Sequence, residues 1–153
     1  MAFRINAEGT RNVALAAEQI GAKIIYISTD YVFDGKASSP YREDDLPNPL
    51  SVYGKSKLVG EQFVRSLCSY YFIVRTSWIF GRYGHNFVKT MLKLEKERDV
   101  IKVVDDQVGS PTYALDLARF LLKLVRTEHY GIWHASNTGS CSWYEFAVTV
   151  KYL

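Results

Sequence analysis

Thr29, Tyr53 and Lys57 are the residues of this 153-residue chain whose types and spacing can do chemistry together. They stand in Ile27-Ser28-Thr29-Asp30-Tyr31-Val32-Phe33-Asp34-Gly35 and in Ser51-Val52-Tyr53-Gly54-Lys55-Ser56-Lys57. A tyrosine one helical turn before a lysine shares a face with it, so both side chains reach one site. A free phenol ionises near ~10, too high for efficient proton transfer at neutral pH. A neighbouring ammonium favours phenolate and draws that pKa toward the working range. A hydroxyl at a strand end, Thr29, would hold a carbonyl oxygen while hydride reaches its carbon. The chemistry this set suits is carbonyl reduction.

Tyr-x-x-x-Lys alone carries little weight, because such pairs arise by chance in many helices. Its setting carries more. The apolar run Ile24-Ile25-Tyr26-Ile27 ends in Ser28-Thr29-Asp30, a long loop follows, and a helix starts after Asn48-Pro49. Strand, hydroxyl, loop and Tyr/Lys helix come in the order of the short-chain dehydrogenase/reductase fold, which this segment resembles.

The chain more closely resembles the dTDP-4-dehydrorhamnose reductases, from about Asn6 to its end. The likeness rests on three blocks: Tyr41 to Lys57, Val74-Arg75-Thr76-Ser77-Trp78-Ile79-Phe80-Gly81, and Asp105-Asp106-Gln107-Val108-Gly109-Ser110-Pro111-Thr112. The resemblance implies Tyr53 as general acid, and Lys57 as ligand of the nicotinamide ribose and modulator of Tyr53. It implies Thr29 as the group orienting the carbonyl, and Asp30, Tyr31 and Trp78 as substrate-side residues. It implies NADPH or NADH as cofactor, a dTDP-sugar as substrate, and reduction of dTDP-4-dehydro-β-L-rhamnose to dTDP-L-rhamnose. The resemblance also admits a homodimer. Family members can use magnesium, but no residues here match its ligands. Three alternatives stay open: another sugar-nucleotide reductase or epimerase, a non-catalytic subunit resembling the β-subunit of methionine adenosyltransferase, and an inactive gene fragment.

The elements that must position these residues alternate along the chain. Apolar spacing predicts a helix over 6–20, with Val13, Ala16, Ala17 and Ile20 inward and Gly21 as its stop. A strand at 23–28 follows, then a helix capped by Ser51 and running to about Leu67, with Leu58, Val59 and Phe63 inward. Beyond it come a strand at 71–75, a helix at 86–96, a strand at 100–104, a helix at 113–126, a strand at 131–135 and a helix from about Ser142. This rhythm predicts an α/β fold with a parallel, doubly wound, Rossmann-like sheet and the start of a sugar-nucleotide-binding region. One reductase domain is expected, with 1–80 carrying the second half of the sheet and 81–153 the substrate side.

The glycine-rich turn that opens a dinucleotide-binding fold is missing from the ten scattered glycines. Against the family pattern the chain is expected to be truncated at both ends. The strand at 23–28 should then present an unpaired edge, with marginal stability, self-association or need of a complementing partner.

Composition narrows the remaining classes. Net charge is +3 and dispersed, with no basic block to follow a phosphate backbone, so no nucleic-acid partner is expected. No apolar run approaches the ~20 residues that span a bilayer, and the N-terminus lacks a signal-peptide core. Cys68 and Cys141 form neither a disulfide framework nor a metal-like spacing, which suggests reduced thiols and a cytoplasmic protein. Arg75, at the end of a buried strand, reads as a brace for a carboxylate, and His85, His129 and His134 as structural.

Overall fold

The computed structural model describes residues 1–151, which divide into two compact units. One comprises Met1–Thr76 with Leu121–His134; the other comprises Ser77–Phe120 and the segment from Ala135 onward.

The first unit is α/β. A π-helical turn (Arg4–Gly9) leads into α1 (Thr10–Gln19), followed by β1 (Ile24–Thr29), α2 (Val52–Leu67) and β2 (Tyr71–Thr76). β6 (Gly131–His134) completes a parallel sheet in the order β1-β2-β6, leaving β1 at one edge. The register pairs Tyr26 with Ile73, Ser28 with Arg75 and Thr29 with Thr76. Phe72, Ile73 and Val74 are fully buried, so the central strand is apolar on both faces, as parallel sheets require. Ala14, Ile24, Tyr26, Val64, Cys68 and Ile73 form the core where the helices meet one face of that sheet.

Two predicted helix faces are corrected by the packing. On α1, Ala14 is buried and Ala17 partly so, whereas Val13 and Ile20 are 60% and 79% exposed and Ala16 is also exposed. On α2 the buried line is Gly54, Ser56, Gly60, Glu61 and Val64, while Leu58, Val59 and Phe63 are only half-buried. Close approach is the reason. A Cβ on Gly60 would lie 2.2 Å from Tyr26 Oη and 2.5 Å from the Asn6 carbonyl, and one on Gly54 would lie 2.1 Å from the Tyr31 carbonyl. Only small residues let the backbones meet there, and the larger apolar side chains are left on the flanks.

The second unit holds α3 (Phe87–Glu97), α5 (Trp143–Lys151) and most of α4 (Ala114–Leu124), with two short ladders. β3 (Ile79–Phe80) pairs in parallel with β5 (Thr112–Tyr113), and β4 (Val108–Gly109) pairs antiparallel with β7 (Cys141–Ser142). These two-residue strands are too short to leave a periodic signal in sequence. The strand expected over 100–104 does not form. Its alternation is real, with Ile101 and Val103 partly buried, but no neighbouring strand supplies a ladder. Those two side chains instead line a groove of about 360 Å³ with Met91, Tyr144, Val148 and Val150. None of the residues predicted to do chemistry lines it. Ser142 and Glu145 cap α5 reciprocally, each side chain accepting the other's backbone N–H, at 3.1 and 2.7 Å. No described helix is long and apolar enough to cross a membrane.

Candidate active site

β1 and α2 bring Thr29, Asp30, Tyr31, Tyr53 and Lys57 into the same unit. Ser51 starts α2 by accepting the Gly54 N–H at 3.0 Å, which sets Tyr53 in the first turn and Lys57 in the second. Gly54, packed against the Tyr31 carbonyl, seats that first turn on the segment that follows β1. The Tyr53 ring is 47% exposed and meets Tyr31 edge to face, with centroids 6.1 Å apart. The ring is therefore packed against a neighbour yet still half exposed.

Lys57 is held inward. Its Nζ donates to the Ile27 carbonyl at 2.7 Å and lies 4.0 Å from the centre of the Tyr26 ring. Burial pushes its pKa down, and the Glu61 carboxylate one turn further on opposes that shift. Thr29 is buried, donates from its hydroxyl to Asp30 Oδ1 at 3.0 Å, and accepts the Tyr31 N–H at 3.3 Å. Burial raises the Asp30 pKa, and the bond from Thr29 works against it.

Sequence reasoning missed the residues behind this set. Tyr26 shares its hydroxyl proton between the carbonyls of Asn6 (3.3 Å) and Lys57 (3.2 Å). Asn6 lies in the π-helical turn and donates to Ser56 Oγ at 3.1 Å, and Ser56 donates to the Tyr53 carbonyl at 2.7 Å. Glu61 lies beneath them, buried against Ser28 and Arg75. The clue available in sequence was polar and small residues on the inward line of a helix otherwise rich in apolar ones.

Arg75 has the bracing role expected of it, through Nε at 3.0 Å and NH2 at 2.8 Å to the two oxygens of Glu61. His134 is less isolated than it looks in sequence. Its ring lies 3.4 Å from Arg75 and approaches the Tyr41 carbonyl through Nδ1, and its backbone N–H donates to Glu43 Oε1 at 3.0 Å. Burial lowers its pKa.

Tyr26 gives this site a pH signature. Burial raises its phenol from 10.0 to about 12. The folded phenol thus keeps its proton where the unfolded one loses it, so its contribution to stability is complete below about pH 10 and disappears toward pH 12. Lys57 has the opposite sign, gaining stability as pH rises toward the ordinary lysine range. Urea midpoints measured across the alkaline range should fall steeply above about pH 10 in the native chain, and less steeply in Tyr26→Phe.

Trp78 belongs to the second unit. Its backbone is left-handed (φ 48°), an uncommon conformation for a bulky residue. The indole stacks on Trp143, with centroids 3.6 Å apart and planes 12° from parallel, and packs on Gly109, where a Cβ would approach within 2.6 Å. The Gln107–Thr112 segment is tied to this region, because Ser77 donates to the Ser110 carbonyl at 2.6 Å and the Thr112 N–H to the Trp78 carbonyl at 3.2 Å. Among the described residues no group of three or more His, Cys, Asp or Glu side chains is arranged to hold a metal ion.

A parallel α/β sheet whose first strand ends in a threonine, followed by a helix bearing Tyr-x-x-x-Lys, defines the short-chain dehydrogenase/reductase class. Within that class the chain belongs to the family described as RmlD substrate binding domain, whose model matches residues 1–152. It is 50% identical over 149 residues to the spore coat polysaccharide biosynthesis protein SpsK of Bacillus subtilis (strain 168), covering 97% of this chain and 52% of that protein. It is 46% identical over 155 residues to the dTDP-4-dehydrorhamnose reductase of Aggregatibacter actinomycetemcomitans, covering 97% and 53%. The crystal structure of dTDP-4-dehydrorhamnose reductase from Bacillus anthracis str. Ames in complex with NADP superposes with a TM-score of 0.95 at 57% identity, covering 98% of this chain and 54% of that one. The chain thus spans about half the length of the relatives it matches.

Proposed function

We propose that this chain carries the catalytic residues for reduction of dTDP-4-dehydro-β-L-rhamnose to dTDP-L-rhamnose. Relatives and solved structures bearing the reductase name support the reading. The observation that carries it is the joint placement of Thr29 at the end of β1 and of Tyr53 and Lys57 on the first turns of α2.

The residues present fit a reduced nicotinamide cofactor. An ammonium has three N–H donors, and the Ile27 carbonyl takes one from Lys57, leaving the rest for ribose hydroxyls. NADPH or NADH supplies the hydride when bound. Thr29 would turn its hydroxyl from Asp30 to the substrate carbonyl and fix that oxygen. Tyr53 would then give its proton to the oxygen as negative charge grows there. Lys57 would restrain the charge left on the phenol. Asp30, Tyr31 and Trp78 are assigned to the sugar nucleotide, since an indole suits the apolar face of a deoxysugar and its N–H can meet a hydroxyl. The reading makes the cytoplasm the working compartment and a homodimer the assembly to look for.

The test is a titration of the chain with NADPH, followed by nicotinamide fluorescence. Saturable binding that is lost in Lys57→Ala, and turnover of the dTDP-sugar that is lost in Tyr53→Phe, are the expected results. A folded chain that binds no NADPH would assign the reaction to a longer protein.

A further inference from the structure

The inward face of α2 carries one ionised group that the proposed chemistry does not use. Glu61 is 1% exposed, and every contact of its carboxylate reaches toward the ends of the strands that bear the site. Ser28 Oγ donates to Oε1 at 2.5 Å, one residue before Thr29. Arg75, the register partner of Ser28, donates to both oxygens, one residue before Thr76. Lys57, one turn earlier on the helix, grips the Ile27 carbonyl. Two consecutive turns of α2 are therefore fastened to consecutive residues of β1, Ile27 and Ser28, directly ahead of the threonine.

We propose that Glu61 is a positioning residue of the catalytic centre, clamping α2 to β1 and β2 so that Tyr53 and Lys57 keep a fixed place relative to Thr29. The clamp suits that task because it is stiff. A bidentate arginine–carboxylate pair defines both distance and angle, and a third donor from Ser28 removes the remaining rotation. It also acts on Lys57 through charge. The ionisable groups set against the ammonium are Glu61, one turn further along its own helix, and Tyr26 on β1, whose ring centre lies 4.0 Å from Nζ. Tyr26 stays neutral until strongly alkaline pH, so the charge that acts on the lysine is the Glu61 carboxylate. Glu61 thus opposes the downward shift that burial imposes on Lys57. This inference rests on the reading of Tyr53 and Lys57 as the catalytic pair.

The experiment follows the ¹³Cε resonance of Lys57 through a pH titration of the lysine-labelled 153-residue chain. Glu61→Gln is compared with the double variant Glu61→Gln/Arg75→Gln, which removes both buried charges and leaves no orphan. The lysine midpoint should drop in Glu61→Gln and in the same direction in the double variant. NADPH affinity should weaken in step at the upper end of the pH range. An unmoved midpoint in either folded variant would overturn the proposal. If neither variant folds, the pair serves folding alone, which overturns it equally. Because the resonance needs no cofactor, it also separates the two readings. Absent NADPH binding by the native chain would assign the reaction to a longer protein and leave the lysine measurement standing.

Discussion

Tyr53→Phe, introduced into a reductase of full family length, should lower turnover by roughly 10²–10⁴-fold, the usual contribution of a positioned general acid. The substitution removes one oxygen and little else. The ring keeps its edge-to-face contact with Tyr31, and the helix keeps its Ser51 cap and the Gly54 seat against Tyr31. The loss should therefore appear in kcat, with KM for the sugar nucleotide and affinity for NADPH close to native, because the missing bond matters most in the transition state. Lys57→Met should behave differently. It removes the donors assigned to the ribose as well as the charge beside the phenol, so cofactor affinity should fall together with kcat. Steady-state kinetics and NADPH titration of the two variants make the comparison. Undiminished turnover in Tyr53→Phe would end the assignment of the proton to that residue.

Arg75→Met should destabilise the chain by about 3–5 kcal/mol, the range for breaking a buried ion pair from one side. Arg75 and Glu61 are 3% and 2% exposed at the side chain, with 2.8 Å between NH2 and Oε2. Methionine fills much of the arginine's volume, so the cost comes from the carboxylate left in a site with little water. The same substitution also removes the guanidinium from the face of Phe33, 5.0 Å away, and from His134. Adding Glu61→Gln should recover a large part of the loss, since a neutral amide has far less to gain from an opposite charge. Urea denaturation of the single and double variants closes the cycle. A loss of less than about 1 kcal/mol in the single variant would mean that water reaches Glu61 and that the pair behaves as a surface one. Surface pairs such as Arg42 with Asp44 should hardly matter by comparison.

Several elements were legible in the sequence for plain reasons. The strands at Ile24–Thr29 and Tyr71–Thr76 are runs of β-branched and aromatic residues, and α2 is marked by Ser51 as its cap. Local signals of this kind need no partner to be read. The run Ile101–Val103 shows the limit, because its alternation matched a strand while the ladder a strand needs was never in the sequence to see. Val13 and Ile20 show another. Their spacing was helical, but hydrophobic periodicity reports that a face is apolar and says nothing of how near its neighbour can come.

By itself, the sequence determined that this protein holds Thr29, Tyr53 and Lys57 in the order strand end, loop, helix, within an alternating α/β chain, since those are properties of residue type and spacing. The tertiary structure alone decided what surrounds them. Glycines and alanines rather than leucines face inward, Asn6 and Ser56 share bonds with Tyr26 and Tyr53, and Glu61 meets Ser28 and Arg75 across 33 and 14 residues of chain. Contacts between positions so far apart leave no periodic trace, because they exist only once the sheet register and the close approach of the helix have been fixed.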